Sequence, residues 1–336
     1  MILNKYQKTF VLGLISLIFS IINFNKITPM NPDIECCDHL FYRAQSVAWF
    51  NLNDKQYLNV PSGNRLEEVY EYFFYKKENA LTNQPPYVYR VTIPIFAGLL
   101  GKIININDSY RIINAILISF LIFGSSLLVL RITNSLLYSS ISLLFFVLQK
   151  DFLQFYFYDF MLVDIASIFI FTYFIYFIIL KKYNIAIFLG SVLGSLTKET
   201  LIFLGLTLSL ILYKNLKKTY LLAIAFFPIF IQIILRNYFY IPSPPKLSEI
   251  YIFETALKPI IDIISAFGII SFFILGLLLS RQLILIGLPT FILIFIINSS
   301  EVADGKRIWY TIIPLIFIGY ASIVEKLKFY SGRFKV

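Results

Sequence analysis

Apolar runs follow one another so closely after Ile112 that helices crossing a membrane are the one arrangement that accommodates them. The runs are Ile112 to Leu130, Ser135 to Leu148, Met161 to Leu180, Asn184 to Leu196, Thr200 to Leu212, Tyr220 to Leu235, Ile263 to Leu279, Leu283 to Ile297 and Ile308 to Ile323. With Thr9 to Phe24 at the start, they predict an all-α, polytopic membrane protein of about ten transmembrane helices. Composition agrees, since 58% of the 336 residues are hydrophobic and 14% charged, outside the balance of a soluble domain. The net charge of +10 would point to nucleic acid in a soluble chain. In a membrane protein it reports cytoplasmic lysines, so membrane lipids and not nucleic acid are the expected surroundings.

The pattern predicts one integral membrane domain over residues 1–336, with an outward first loop at 25–111 and a helical transmembrane core at 112–323. Lys5 and Lys8 precede the first apolar run. No small-residue cleavage site follows at Asn25-Lys26-Ile27, so the reading is a retained helix with its N-terminus inside. In the loop, Leu40, Phe41, Ala44 and Val47 recur at helical spacing, as do Leu66, Val69, Tyr70, Phe73 and Phe74. Two amphipathic helices lying on the membrane surface are expected. The run Val91 to Ile104, interrupted by Pro94, Gly98 and Gly101, falls short of the roughly 20 residues a span needs and reads as re-entrant or juxtamembrane.

Charge distribution tests this layout. The inner helix ends carry Lys5, Lys8, Arg131, Lys181, Lys182, Lys214, Lys217, Lys218, Arg281, Lys326, Lys328, Arg333 and Lys335, with Glu325 the only acid among them. Short inner loops are thus uniformly basic, as the positive-inside rule requires. The stretch Asn184 to Leu212, read as one helix, would bury Lys198 and Glu199 and put three lysines outside. A hairpin keeps the charge pattern but has arms too short for a full crossing. Its turn must then sit in a polar cavity, because a lipid-exposed turn leaves backbone groups unsatisfied. Lys198 and Glu199 become site candidates.

The first loop holds the densest chemistry, Asn31 to Arg43, with Asp33, Glu35, Cys36, Cys37, Asp38 and His39. Two adjacent cysteines and a single histidine define neither a disulfide framework nor a zinc site. Asp38 precedes a predicted helix and suits an N-cap, although Phe41 removes the capping-box partner. Read as a functional group instead, it is a carboxylate beside an imidazole, His39, able to relay a proton or bind a metal. Asp164 lies just inside an apolar helix, where an ionised group is costly unless it faces a cavity. Arg307 borders the last helix and is placed to turn inward.

In order, these signals resemble the GT-C superfamily of membrane glycosyltransferases, particularly the protein mannosyltransferase and lipid A aminoarabinose transferase branch. Asp38 resembles the first-loop acid of that family. Pro85-Pro86 through Pro94 and Gly101 to Tyr110-Arg111 looks like its first-loop exit, and Leu162-Val163-Asp164 like its second acid. Leu196-Thr197-Lys198-Glu199 is similar to its T-K-G-P turn, with Glu199 in place of glycine. Arg307-Ile308-Trp309-Tyr310 with Pro314 resembles its closing element.

The resemblance implies transfer of a sugar from a polyprenyl-phosphate donor to a lipid, glycan or protein hydroxyl at the outer face of a bacterial plasma membrane. Asp38 would be the general base. Lys198 and Arg307, with Arg90 or Arg111, would meet the lipid phosphate. Asp164 and Glu199 would orient Lys198 or hold a divalent cation, Mg2+ or Mn2+, which is optional. The alternative is a non-catalytic transporter or flippase using the same basic cavity for a lipid-linked or anionic solute.

Overall fold

The computed structural model describes residues 4–29, 38–50, 90–238, 257–298 and 309–333, and every element among them is helical. Helix α1 (Lys5–Lys26) opens on a capping box, with Asn4 Oδ1 accepting from the Gln7 amide at 2.9 Å and Gln7 Oε1 accepting from the Asn4 amide at 2.8 Å. These contacts satisfy two of the four donors that a helix start leaves open. Next come α2 (Asp38–Phe50), α3 (Thr92–Gly101) and α4 (Ile106–Thr133). Then α5 (Leu136–Leu148) meets α6 (Lys150–Tyr158) at a bend of 68°.

Among the described residues, four helices are long and apolar enough to cross a membrane: Tyr6–Lys26, Ile106–Thr133, Lys218–Leu235 and Pro259–Leu279. A fifth appears if the bent pair α5–α6 counts as one span. This marks the chain as a membrane protein. The runs Met161 to Leu180, Asn184 to Leu196 and Thr200 to Leu212 form helices of 10–17 residues, because turns and changes of helix type interrupt segments whose hydropathy reads as continuous. Met161 to Leu180, for example, becomes α7 (Asp164–Ile179), and its last residues leave the helix through Lys181 at φ 60.

Side-chain contacts set the helix directions. Helices α1 and α4 run antiparallel: Ser119 donates to Ser20 at 2.7 Å, Arg111 lies 4.5 Å over the Phe24 ring, and Lys8 donates to the Asn134 carbonyl at 3.1 Å. Asn134 ends α4 in the left-handed region at φ 49, a conformation that asparagine tolerates better than most residues. The adjacent Thr133 carbonyl accepts from Lys328 at 2.8 Å. Two lysines from distant helices thus meet the negative end of the α4 dipole. Helix α7 runs alongside α4 in the same direction, with Ala166 clustered with Tyr110, and Tyr173 donating to the Phe120 carbonyl at 3.1 Å. Lys181 and Lys182 are thereby carried to the end of the bundle where Arg131 lies.

The chain then doubles back through α8 (Tyr183–Thr197) and α9 (Phe203–Leu212), with Gly194 against Leu201 and Gly190 against Leu204. Helix α10 (Lys218–Tyr238) packs on this hairpin. Its internal Pro228 lacks the amide that would bond the Ile224 carbonyl. Ser191 reaches that carbonyl at 3.5 Å, and Gly205 lies against it, since a Cβ there would come within 2.6 Å of the oxygen. Helix α11 (Leu257–Phe267) continues as a 3-10 helix (Gly268–Leu279), followed by α12 (Arg281–Asn298) and, after Tyr310–Ile312, by α13 (Ile313–Arg333). The 3-10 helix and α13 touch backbone to backbone at Gly276 and Gly319.

Helix α2 forms where expected, and Tyr42, Arg43, Gln45, Ser46 and Val47 on it are all buried against α3 and α4. These positions cover more than half of its circumference. Ser46 donates to the Pro94 carbonyl at 2.8 Å, and Arg43 Nη1 reaches Asn107 Oδ1 at 3.4 Å. The companion helix expected near Leu66 to Phe74 lies outside the described residues.

Candidate functional site

At the end of the bundle opposite Lys8 and Lys328, five segments meet. The chain leaves α8 at Thr197, takes an extended conformation at Lys198 (φ −157, ψ 134) and enters a 3-10 turn, Glu199–Ile202. Lys198 is held on both sides: its amide donates to the Gly194 carbonyl at 3.0 Å, and its carbonyl accepts from the Leu201 amide at 3.0 Å. Upstream, Phe188–Leu193 is a π-helical turn, a rare geometry that concentrates at functional sites.

Lys198 Nζ donates to Asp164 Oδ1, and the ion pair is buried, with side-chain exposures of 7% and 2%. An ammonium and a carboxylate removed from water persist only when each offsets the other's charge. Asp164 sits in the first turn of α7, where a carboxylate meets the positive end of the helix dipole.

Arg90 and its neighbours bind the turn to the first loop. The Val91 amide donates to the Leu196 carbonyl at 2.9 Å, and Thr197 Oγ1 donates to Thr92 Oγ1 at 3.0 Å. Arg90, itself buried, donates through Nη1 to the Tyr42 hydroxyl at 2.9 Å. The Tyr42 carbonyl accepts from Tyr110 Oη at 2.6 Å, and that hydroxyl also shares a 2.7 Å hydrogen bond with Ser46, which donates to the Pro94 carbonyl at 2.8 Å. Helix α2 is thus clamped to α3 and α4 by groups at its centre. It begins at Asp38, one turn before Tyr42 and at the spacing that puts two residues on one helix face.

Of the candidates, Asp164 and Lys198 come into contact, and Arg90 is two hydrogen-bonded residues away from their turn. Arg111 instead lies over Phe24, against α1. Asp38 and His39 open α2, and Glu199 opens the 3-10 turn, but the side chains of all three lie outside the described structure, as does the whole of Arg307. Tyr42, Tyr110 and Ser46 were not singled out as site residues. The available signal was the spacing of Tyr42 from Asp38. Gln232 of α10 was missed as well; buried, it donates to the Ser195 carbonyl, bracing the arm that presents Lys198.

Among the described residues no three His, Cys, Asp or Glu side chains come together. The Asp164 carboxylate is engaged by an ammonium, which a divalent cation would have to displace. The described donor set therefore does not fit such an ion. What the arrangement offers is a buried Lys198–Asp164 ion pair and a buried Arg90 held on Tyr42 of the helix that starts at Asp38, with the two joined through Val91 and Thr92. No protein-family model, no curated protein and no solved structure matches the chain.

Proposed function

We propose that the chain is a multi-pass membrane glycosyltransferase of GT-C type, of about ten spans when its broken helices are counted. In this reading it sits in a bacterial plasma membrane with the Lys198 end facing outward and the Lys8, Arg131 and Lys328 end in the cytoplasm, the orientation that the positive-inside rule favours. The observation that carries the reading is the buried Asp164–Lys198 pair, joined through Val91 and Thr92 to Arg90 and so to the helix headed by Asp38.

Asp38 takes the proton of an acceptor hydroxyl as the oxygen bonds to the anomeric carbon of the donor sugar. The bond from that carbon to the phosphate oxygen breaks, and polyprenyl phosphate leaves with the added negative charge. Lys198 and Arg90, with Arg307, stabilise that charge, which a recessed site does more strongly than open water. Asp164 keeps Lys198 charged and aimed. No step requires a metal.

The test is the full-length protein in liposomes supplied with polyprenyl-phosphate sugars labelled in the sugar and with an extract of envelope acceptors. The reading expects label bonded covalently to an acceptor, and Asp38→Asn should lower that rate by about 10²–10⁴-fold without changing membrane insertion. Label that only changes sides of the membrane would instead assign a flippase.

A further inference from the structure

A cavity of about 650 Å³ opens between the C-terminal end of α1 and the bent pair α5–α6. Its volume is that of a typical small-ligand site. On α1 its lining residues are Phe19, Ile22, Asn23 and Lys26, spaced so that all four fall on one helix face. Over about 10 Å of helix that face changes from apolar to cationic. The opposite wall is formed by Phe146 and Val147 of α5 and by Leu153, Gln154 and Tyr158 of α6.

Ile22 and Val147 are about half exposed, at 46% and 52%, so the groove opens sideways through side chains suited to lipid. Among the described residues Lys26 is the one charged residue in the lining, and none of them is a carboxylate. As a last-turn cation Lys26 also offsets the α1 dipole, but that role calls for no cavity beside it. A groove lined by Phe19, Ile22, Phe146 and Val147, with Lys26 at the end of its α1 wall, is complementary to an anionic amphiphile.

We propose that this groove binds one anionic phospholipid of the surrounding bilayer. An acyl chain lies among Phe19, Ile22, Phe146 and Val147, and the headgroup phosphate meets Lys26. The site uses none of the residues assigned to sugar transfer and stands whether or not that reading holds.

The experiment is native mass spectrometry of the delipidated full-length protein, titrated with phosphatidylglycerol or phosphatidylcholine of identical chains. Wild type should retain one phosphatidylglycerol with a preference of about fivefold, the factor for one basic residue facing an anionic lipid. Lys26→Gln should remove the preference, and Val147→Trp, which fills the groove, should remove retention of both lipids. Phe230→Trp, on the exposed face of α10, should behave as wild type and shows that an added surface indole is tolerated. Equal retention of the two lipids by wild type overturns the proposal, and so does unchanged retention in either Lys26→Gln or Val147→Trp.

Discussion

Lys198 donates to Asp164 across 34 residues of chain, from the extended residue at the tip of a hairpin to the first turn of a different helix, and both side chains are buried. The contact ties the tip of the α8–α9 hairpin to α7 and places a cation where the chain is otherwise apolar. Removing one partner leaves an uncompensated buried charge, whereas removing both leaves two neutral groups of similar shape.

Asp164→Asn and Lys198→Met should each lower the unfolding free energy by about 3–5 kcal/mol, and the double variant should recover most of that loss. Unfolding of the full-length protein in mixed detergent micelles measures all three. Losses that simply add would mean that the two groups do not act as a pair.

Tyr110 holds α2 in place by donating to the Tyr42 carbonyl at 2.6 Å and sharing a hydrogen bond with Ser46. Tyr110→Phe should cost about 1–3 kcal/mol, because buried partners are left unsatisfied. Hydrogen exchange should accelerate over residues 42–50 and stay unchanged in the middle of α4. Exchange that rises equally everywhere would show that Tyr110 supports the fold generally and not α2 in particular.

Gly319 is a point of close backbone approach, since a Cβ there would overlap the Phe273 carbonyl. At Gly13 the nearest atom to such a Cβ is 3.6 Å away, on the Phe123 ring. Gly319→Ala should therefore lower the thermal midpoint or prevent folding. Gly13→Ala should leave it unchanged or raise it slightly, as alanine favours the helix by roughly 1 kcal/mol. A neutral Gly319→Ala would mean that the 3-10 helix and α13 do not touch in the folded protein.

Orientation can be read with single cysteines in a chain whose Cys36 and Cys37 are replaced by serine. Lys182→Cys and Asn215→Cys should react with an impermeant maleimide only from the cytoplasmic side, and Asp108→Cys only from outside. Labelling of Lys182→Cys from outside would reverse the assignment of the two ends.

How much of this could be read from residues alone depended on whether charge or packing decides the feature. The reversal at Lys198 was legible, because a continuous helix would have buried two charges and misplaced Lys214, Lys217 and Lys218. Asp164 stood out for the same reason, an acid just inside an apolar helix. The burial of α2 was not legible: nothing local to Arg43 and Gln45 reveals that both are buried, with Arg43 reaching Asn107 from another helix. The link from Arg90 to Lys198 runs through a backbone bond between Val91 and Leu196, which leaves no trace in side-chain type. One helix was read too generously: hydropathy registers Met161 to Leu180 as one run, while the backbone is helical only over Asp164–Ile179.

The most direct measurement is a density map of the full-length protein with bound polyprenyl phosphate. The account predicts the phosphate within hydrogen-bond reach of Lys198 Nζ, with the Asp38 carboxylate facing it across a space wide enough for a sugar. A phosphate bound elsewhere, or Asp38 turned in to cap its own helix away from Lys198, would contradict it.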